Sequence, residues 1–349
     1  MPHQHGGAPG ERAMAVPNQM DMFDLLYMLA AADGRGEALL GGRREQLRSL
    51  YERTLIGSAR PALYLEFPLL GEPSFDFLSV IEKVEPGDTF DHGAGYGYQK
   101  AFDWFSTVCE DKNVSMGFEL DLSTGERERA GIYLQQRHRS ELVEPFLESV
   151  DEAWRYPAYS AVQEAMPEGW LPAYVALFPG RKGSPTRIGG YMAPAEQRRC
   201  AEDPAHIGEC LRRIGFDSFD EQMLAQCAQL MGMAPSIDVQ FDIMEDGTLG
   251  DTFGLSLSFN ELSKRAAREQ MERGVGQRIM STLQQWGLAD DRWRLLSDVT
   301  FAKQYPYVRE DGSTGSLGLC TLLNYAKVKF KNAQMQPAKF YLLLAAHEF

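Results

Sequence analysis

Thr186-Arg187-Ile188-Gly189-Gly190-Tyr191-Met192 is the stretch whose reading decides the fold. In a strand, successive side chains point to opposite faces. Arg187, Gly189 and Tyr191 therefore share one face, with Ile188 on the other. The same frame, Arg-x-Gly-x-Tyr, recurs at Arg129-Ala-Gly-Ile-Tyr133. Pro337-Ala-Lys-Phe-Tyr341 repeats the spacing with Lys339 in place of Gly, and Asp251-Thr-Phe-Gly254-Leu-Ser256 is a weaker copy. Each strand thus has a polar, aromatic face and an apolar one. That pattern suits strands covered by helices on one side and lining a space on the other. It predicts Ile132, Ile188, Val239, Phe241 and Phe340 facing outward against helices.

Working outward, the strands fall into five pairs: 62–67 with 75–81, 115–122 with 128–136, 173–178 with 186–192, 237–244 with 252–259, and 322–330 with 338–345. Apolar stripes at helical spacing predict helices from Met20 to Asp33 and over 43–56, 100–109, 141–166, 203–231 and 261–285, with a shorter one around Trp293. Five hairpins preceded by helix make an internal repeat of roughly 60 to 70 residues. Ten antiparallel strands with one covered face can close into a barrel, which removes the edges a flat sheet would expose. The expected class is α+β: a closed ten-stranded antiparallel barrel surrounded by α-helices, as one domain over 19–349. The Gly/Pro/His-rich stretch 1–18 is expected to be a disordered tail. The glycines at 131, 189, 190 and 254 either coil the strands at barrel corners or leave space for a bulky ligand.

Composition narrows the function classes. The chain has 349 residues, 44% apolar and 24% charged, as in ordinary globular proteins. A net charge of −14 argues against nucleic acid as a partner, which needs a basic footprint. No apolar run has membrane-spanning length and no signal peptide is evident, so no membrane association and a cytoplasmic location are expected. The five cysteines have neither zinc-finger nor disulfide-framework spacing. No His/Asp/Glu cluster shows metal-ligand spacing, so no metal site is expected. The Gly-rich 92–97 could cradle a phosphate at the start of the next helix or be a plain loop. Trp104, Trp154 and Trp286 sit at helical spacing and read as core.

The five helix-hairpin repeats, with Lys339-x-Tyr341, Arg187-x-Gly-x-Tyr191 and Arg129-x-Gly-x-Tyr133, resemble the ABBA or PT-barrel family of aromatic prenyltransferases, which includes indole and peptide prenyltransferases. Its Lys-x-Tyr and Arg-x-Lys-x-Tyr strands bind an allylic diphosphate and shield a carbocation. Here Gly stands at two positions where that pattern has Lys. The resemblance implies transfer of a prenyl group from an allylic diphosphate to an aromatic acceptor, either a small molecule or a peptide side chain. Arg129, Arg187, Lys339 and one of Lys327 and Lys329 would hold the diphosphate, since cations with fixed donors suit its oxygens. Tyr133, Tyr191 and Tyr341 would present hydroxyls and π faces. Glu66 would accept a hydrogen bond from the acceptor, as the family's first-strand Glu does, with Glu119 and Asp121 as alternatives. No cofactor is required, though Mg2+ could accompany the diphosphate. Two other readings stay open. The inward arginines could be a satisfied polar network with Glu119, Asp121, Asp238 or Asp242, in a repurposed barrel that binds a peptide or small ligand without transfer. The repeats also suit a pentein-type guanidine-modifying enzyme, with Cys320, His347, Asp238 and Asp242 as its chemistry.

Overall fold

The computed structural model describes residues 38, 62–82, 84, 98–110, 113–120, 130–181, 183–261, 264–308 and 313–348. The expected tail, the helices expected before residue 57, the Gly-rich 92–97, Asp121 and Arg129 lie outside the described residues.

The expected hairpins are β1 (Ala62–Pro68) with β2 (Asp76–Ile81), β3 (Val114–Leu120) with β4 (Gly131–Gln136), β5 (Trp170–Leu177) with β6 (Thr186–Met192), and β7 (Ser236–Ile243) with β8 (Leu249–Glu261). After β9 (Phe301–Val308), the chain forms β10 (Thr314–Lys331), the short β11 (Gln334–Met335) and β12 (Lys339–Glu348). β1 to β8 pair each with the next, β8 pairs with β10, β10 with β12, and β12 returns to β1. Every pairing is antiparallel, and ten strands close into a barrel. The β9 strand is an addition, paired to the upstream half of β10 off that ring. A Pro in the middle of 301–308 hides it, because proline interrupts the strand pattern in sequence.

The faces fall as the alternation predicts. Ile132, Ile188, Val239, Phe241 and Phe340 are buried in the core between barrel and helices. There the Trp170 and Phe253 rings stack on Phe241 at 5.8 and 5.5 Å. The described helices are α1 (Tyr98–Ser106), α2 (Val143–Ser149), α3 (Tyr156–Ala165), α4 (Pro194–Glu202), α5 (Pro204–Arg213), α6 (Glu221–Met233), α7 (Lys264–Arg273) and α8 (Val275–Gln285). Three expected long helices are in fact broken. The 141–166 helix is interrupted where Asp151 takes a positive φ of 60°. As a result Trp154 is 52% exposed rather than core, and lies 4.3 Å from the Arg155 guanidinium. The 203–231 helix starts earlier and divides at Pro204, at Gly215 (φ 88°) and at Asp220, whose side chain caps α6. The 261–285 helix divides at Gly274. No helix among the described residues is long and apolar enough to cross a membrane.

Candidate active site inside the barrel

Period-two alternation delivers a dense set of charges to the interior. Arg187 on β6 stands opposite Asp242 on β7 and grips it with two hydrogen bonds, 2.7 and 3.0 Å. Arg187 is 3% exposed, so this fork is a buried ion pair. Arg181, from the loop between β5 and β6, donates to Glu119 at 2.5 Å, and the Tyr133 hydroxyl donates to the same carboxylate. The Phe178 ring lies against both guanidiniums, 3.6 Å from Arg181 and 4.5 Å from Arg187. Across the barrel, Lys339 on β12 donates to Asp76 on β2 at 3.0 Å and to Glu66 on β1.

Lys327 and Lys329 on β10 differ from these cations. Lys327 donates only to the Tyr341 hydroxyl, at 3.3 Å, and neither lysine has a carboxylate partner among the described residues. Burial, reinforced by Arg187, lowers the Lys327 ammonium to about 8 despite Glu66 and Glu119. Lys329 is held well below its ordinary value by the same burial and by Arg187 and Lys327. The carboxylates move oppositely. Burial works against the charge of Glu66, but Lys339, Lys327 and Lys329 bring it down to about 2. Asp242 is likewise lowered, with Arg187 overcoming its burial. Asp238 on β7 is the exception: burial raises it to about 7, despite Arg137 and Lys327.

The glycines of the Arg-x-Gly-x-Tyr frames are occupied from the side. A Cβ at Gly189 would lie 2.0 Å from the ring of Tyr174, its partner across β5. One at Gly131 would lie 2.7 Å from the Phe178 ring, and one at Gly254 would lie 2.5 Å from Gln240. The Tyr174 hydroxyl then donates to Gln240 at 3.1 Å. The space left by the missing side chains is therefore filled by the protein's own rings and amide rather than by a ligand.

Above this layer is a cavity of about 510 Å3 walled by six tyrosines: 64, 133, 174, 191, 325 and 341. Its lining includes the buried Glu119, Lys327 and Tyr341 and the exposed Arg137 and His138. Tyr325 stacks on Tyr341 at 4.1 Å, and Arg137 sits 5.4 Å from the Tyr191 ring. Of the residues expected at the site, Glu119, Tyr133, Tyr191, Lys327 and Tyr341 line this cavity. Glu66, Arg187, Lys329 and Lys339 lie in the charged layer beside it. Sequence reasoning passed over Tyr64, Asp76, Tyr174, Arg181 and Tyr325. Two were within reach of the alternation: Tyr325-x-Lys327-x-Lys329 and Tyr64-x-Glu66 each place polar groups on one strand face.

No family model matches the chain. No curated protein matches it either. Solved structures do. AnaPT from Neosartorya fischeri superposes with a TM-score of 0.51 at 10% identity, covering 94% of each chain. The 5-dimethylallyl tryptophan synthase of Streptomyces coelicolor, solved with DMASPP and Trp, gives 0.49 at 11% identity over 95% of each chain. PriB with product diphosphate gives 0.45 at 12% identity over 94% of this chain and 96% of that one. The fold is the PT barrel. A single closed PT barrel is not the pentein arrangement, and its Asp242 is already engaged by Arg187.

Proposed function

We propose that this PT barrel transfers a prenyl group from an allylic diphosphate to an aromatic acceptor, a small molecule or a peptide side chain. The observation that carries this reading is the pair Lys327 and Lys329 on one face of β10, neither with a carboxylate partner among the described residues, with buried Lys327 lining a tyrosine-walled cavity. A cation kept uncompensated in a low-dielectric interior is poised for an anion that arrives from outside. As the allylic C–O bond breaks, both electrons leave with the diphosphate toward Lys327 and Lys329. The allylic cation is left facing the tyrosine rings, whose π faces stabilise it and whose bulk excludes water. An electron-rich aromatic carbon then forms the new C–C bond, and its proton passes to the Asp238 carboxylate. A carboxylate raised to about 7 suits that role near neutral pH. Glu119 orients Tyr133, and Glu66 keeps Lys339 charged and in place.

The closed pairs Arg187–Asp242 and Lys339–Glu66/Asp76 favour a second reading, a barrel that binds a peptide or small ligand without transfer. Incubation with allylic diphosphates of increasing length separates the two, using tryptophan and indole as acceptors. Release of inorganic diphosphate with formation of a prenylated acceptor is the expected result. Failure of every donor both to bind and to release diphosphate would leave only the second reading.

A further inference from the structure

Outside the barrel, two helices converge on a set of side chains with a different chemistry. Glu196 and Cys200 lie one turn apart on α4, and His206 and Cys210 lie one turn apart on α5. Residues four apart share a helix face. Pro204 ends one helix and starts the next, folding the two faces together.

The oxygen, nitrogen and sulfur of Glu196, His206 and Cys210 all lie within 4.8 Å of one another. The Cys210 thiol is 3.6 Å from Glu196 Oε1 and 3.5 Å from His206 Nε2. Cys200 lies outside that trio, with its thiol 3.9 Å from Glu196 Oε1 and hydrogen-bonded with Cys210, so it would have to move inward to become the fourth ligand. His206 Nε2 and Glu196 Oε1 are 2.7 Å apart. Bonds of about 2.0 Å to nitrogen or oxygen and about 2.3 Å to sulfur place ligands of a tetrahedral zinc roughly 3.3 to 3.8 Å apart. Most of these separations are already close to that spacing.

We propose that Glu196, Cys200, His206 and Cys210 form a zinc-binding site that ties α4 to α5. Two thiolates select zinc over the hard cations, which prefer oxygen. The cysteines and the histidine are buried, as expected for a closed structural site. The other ring nitrogen supports the assignment, for His206 Nδ1 is buried without a hydrogen-bond partner. With Nε2 on the metal, Nδ1 must carry the proton, and Glu209 Oε2, at 3.6 Å, is the nearest carboxylate to receive it. Gly169 makes room for the ligand set, because a Cβ there would lie 2.4 Å from Glu196 Cβ. A cleft of about 550 Å3 beside the cluster, bordered by Arg199 and Arg213, gives the ion a way in. Binding displaces the two thiol protons to solvent and needs no redox partner.

The test uses the full chain, purified under reducing conditions and dialysed against zinc. One tightly held zinc per chain is expected, with Cys200 and Cys210 protected from alkylation. Cobalt in its place should give a thiolate charge-transfer band and the strong visible absorption of a tetrahedral ion. Glu209→Gln should keep the spectrum but weaken zinc affinity about 10- to 100-fold. The cobalt titration of the unaltered chain decides the matter even if ligand variants fold poorly. A chain that retains no zinc overturns the proposal. So does a cobalt spectrum without the thiolate band, or unchanged zinc binding by the Cys200→Ser/Cys210→Ser variant.

Discussion

Among individual residues, the interior cations divide into those already neutralised and those held in reserve. Arg187 belongs to the first group, and Arg187→Ala would strand Asp242 in the barrel wall. A destabilisation of about 3 to 5 kcal/mol is expected, read as a lower denaturant midpoint. Lys329 belongs to the second, so Lys329→Met should leave that midpoint unchanged or raised. It should weaken diphosphate binding by roughly 10- to 100-fold, the loss of a charge-assisted contact of about 1.5 to 3 kcal/mol. Equal effects of the two variants on both measurements would contradict the division. Lys327 makes the stability depend on pH. Its proton leaves the folded chain near 8 but the unfolded chain near 10.5, so between those values the unfolded chain holds more protons and stability rises with pH. Diphosphate affinity should fall over the same rise, since the charged ammonium is the binding form. Denaturant midpoints measured below 8 and near 10 check this, and Lys327→Met should flatten the slope. Asp238 has the opposite sign. Its folded value of about 7 lies above the ordinary 3.8, so the stability it contributes is present at low pH and fades as pH rises to 7. Asp238→Asn should therefore be more stable than the parent at pH 8 and fail to prenylate.

At the scale of strands and helices, the alternation of β6 made the inside and outside of the barrel readable, and it did so for the predicted positions on β4, β7 and β12 as well. It could not say what fills the gap over a glycine, because that side chain comes from the neighbouring strand. Tyr174 crosses Gly189 from β5, a contact with no local signature in either strand alone. Gly189→Lys, which would restore the Lys-bearing motif, should cost about 1 to 3 kcal/mol through overpacking against that ring. Adding Tyr174→Ser should recover much of the loss, and a double-mutant cycle on thermal midpoints measures the coupling. Additive effects would mean that the ring has somewhere else to go. Helix limits were less legible than strands, since Asp151 and Pro204 break apolar stripes that continue in sequence past them. The cluster between α4 and α5 was out of view of the sequence for the same reason. Its members are paired at helical spacing on two helices, and only the Pro204 turn brings the pairs together.

For the whole molecule, charge and closure act together. Among the described residues, Arg181, Arg187 and Lys339 are paired with Glu66, Asp76, Glu119 and Asp242, while Lys327 and Lys329 have no carboxylate partner. Burial disfavours the charged form of both unpaired lysines, so the diphosphate is expected to arrive with its own Mg2+. Omitting Mg2+ should slow diphosphate release about tenfold or more, and full turnover without it would mean that the ion pairs open to the substrate. Closure sets a further condition on traffic. A ring of ten strands, each hydrogen-bonded to two neighbours, acts as a hoop whose girth is fixed by strand number and stagger. It cannot gape sideways without rupturing a ladder, so passengers move along the axis in single file. Lys327 and the exposed Arg137 line one and the same cavity, so on the proposed reading donor and acceptor share a passage. Excess acceptor should then crowd out the donor, and substrate inhibition by the acceptor, relieved by more diphosphate, would be the kinetic trace of a shared corridor.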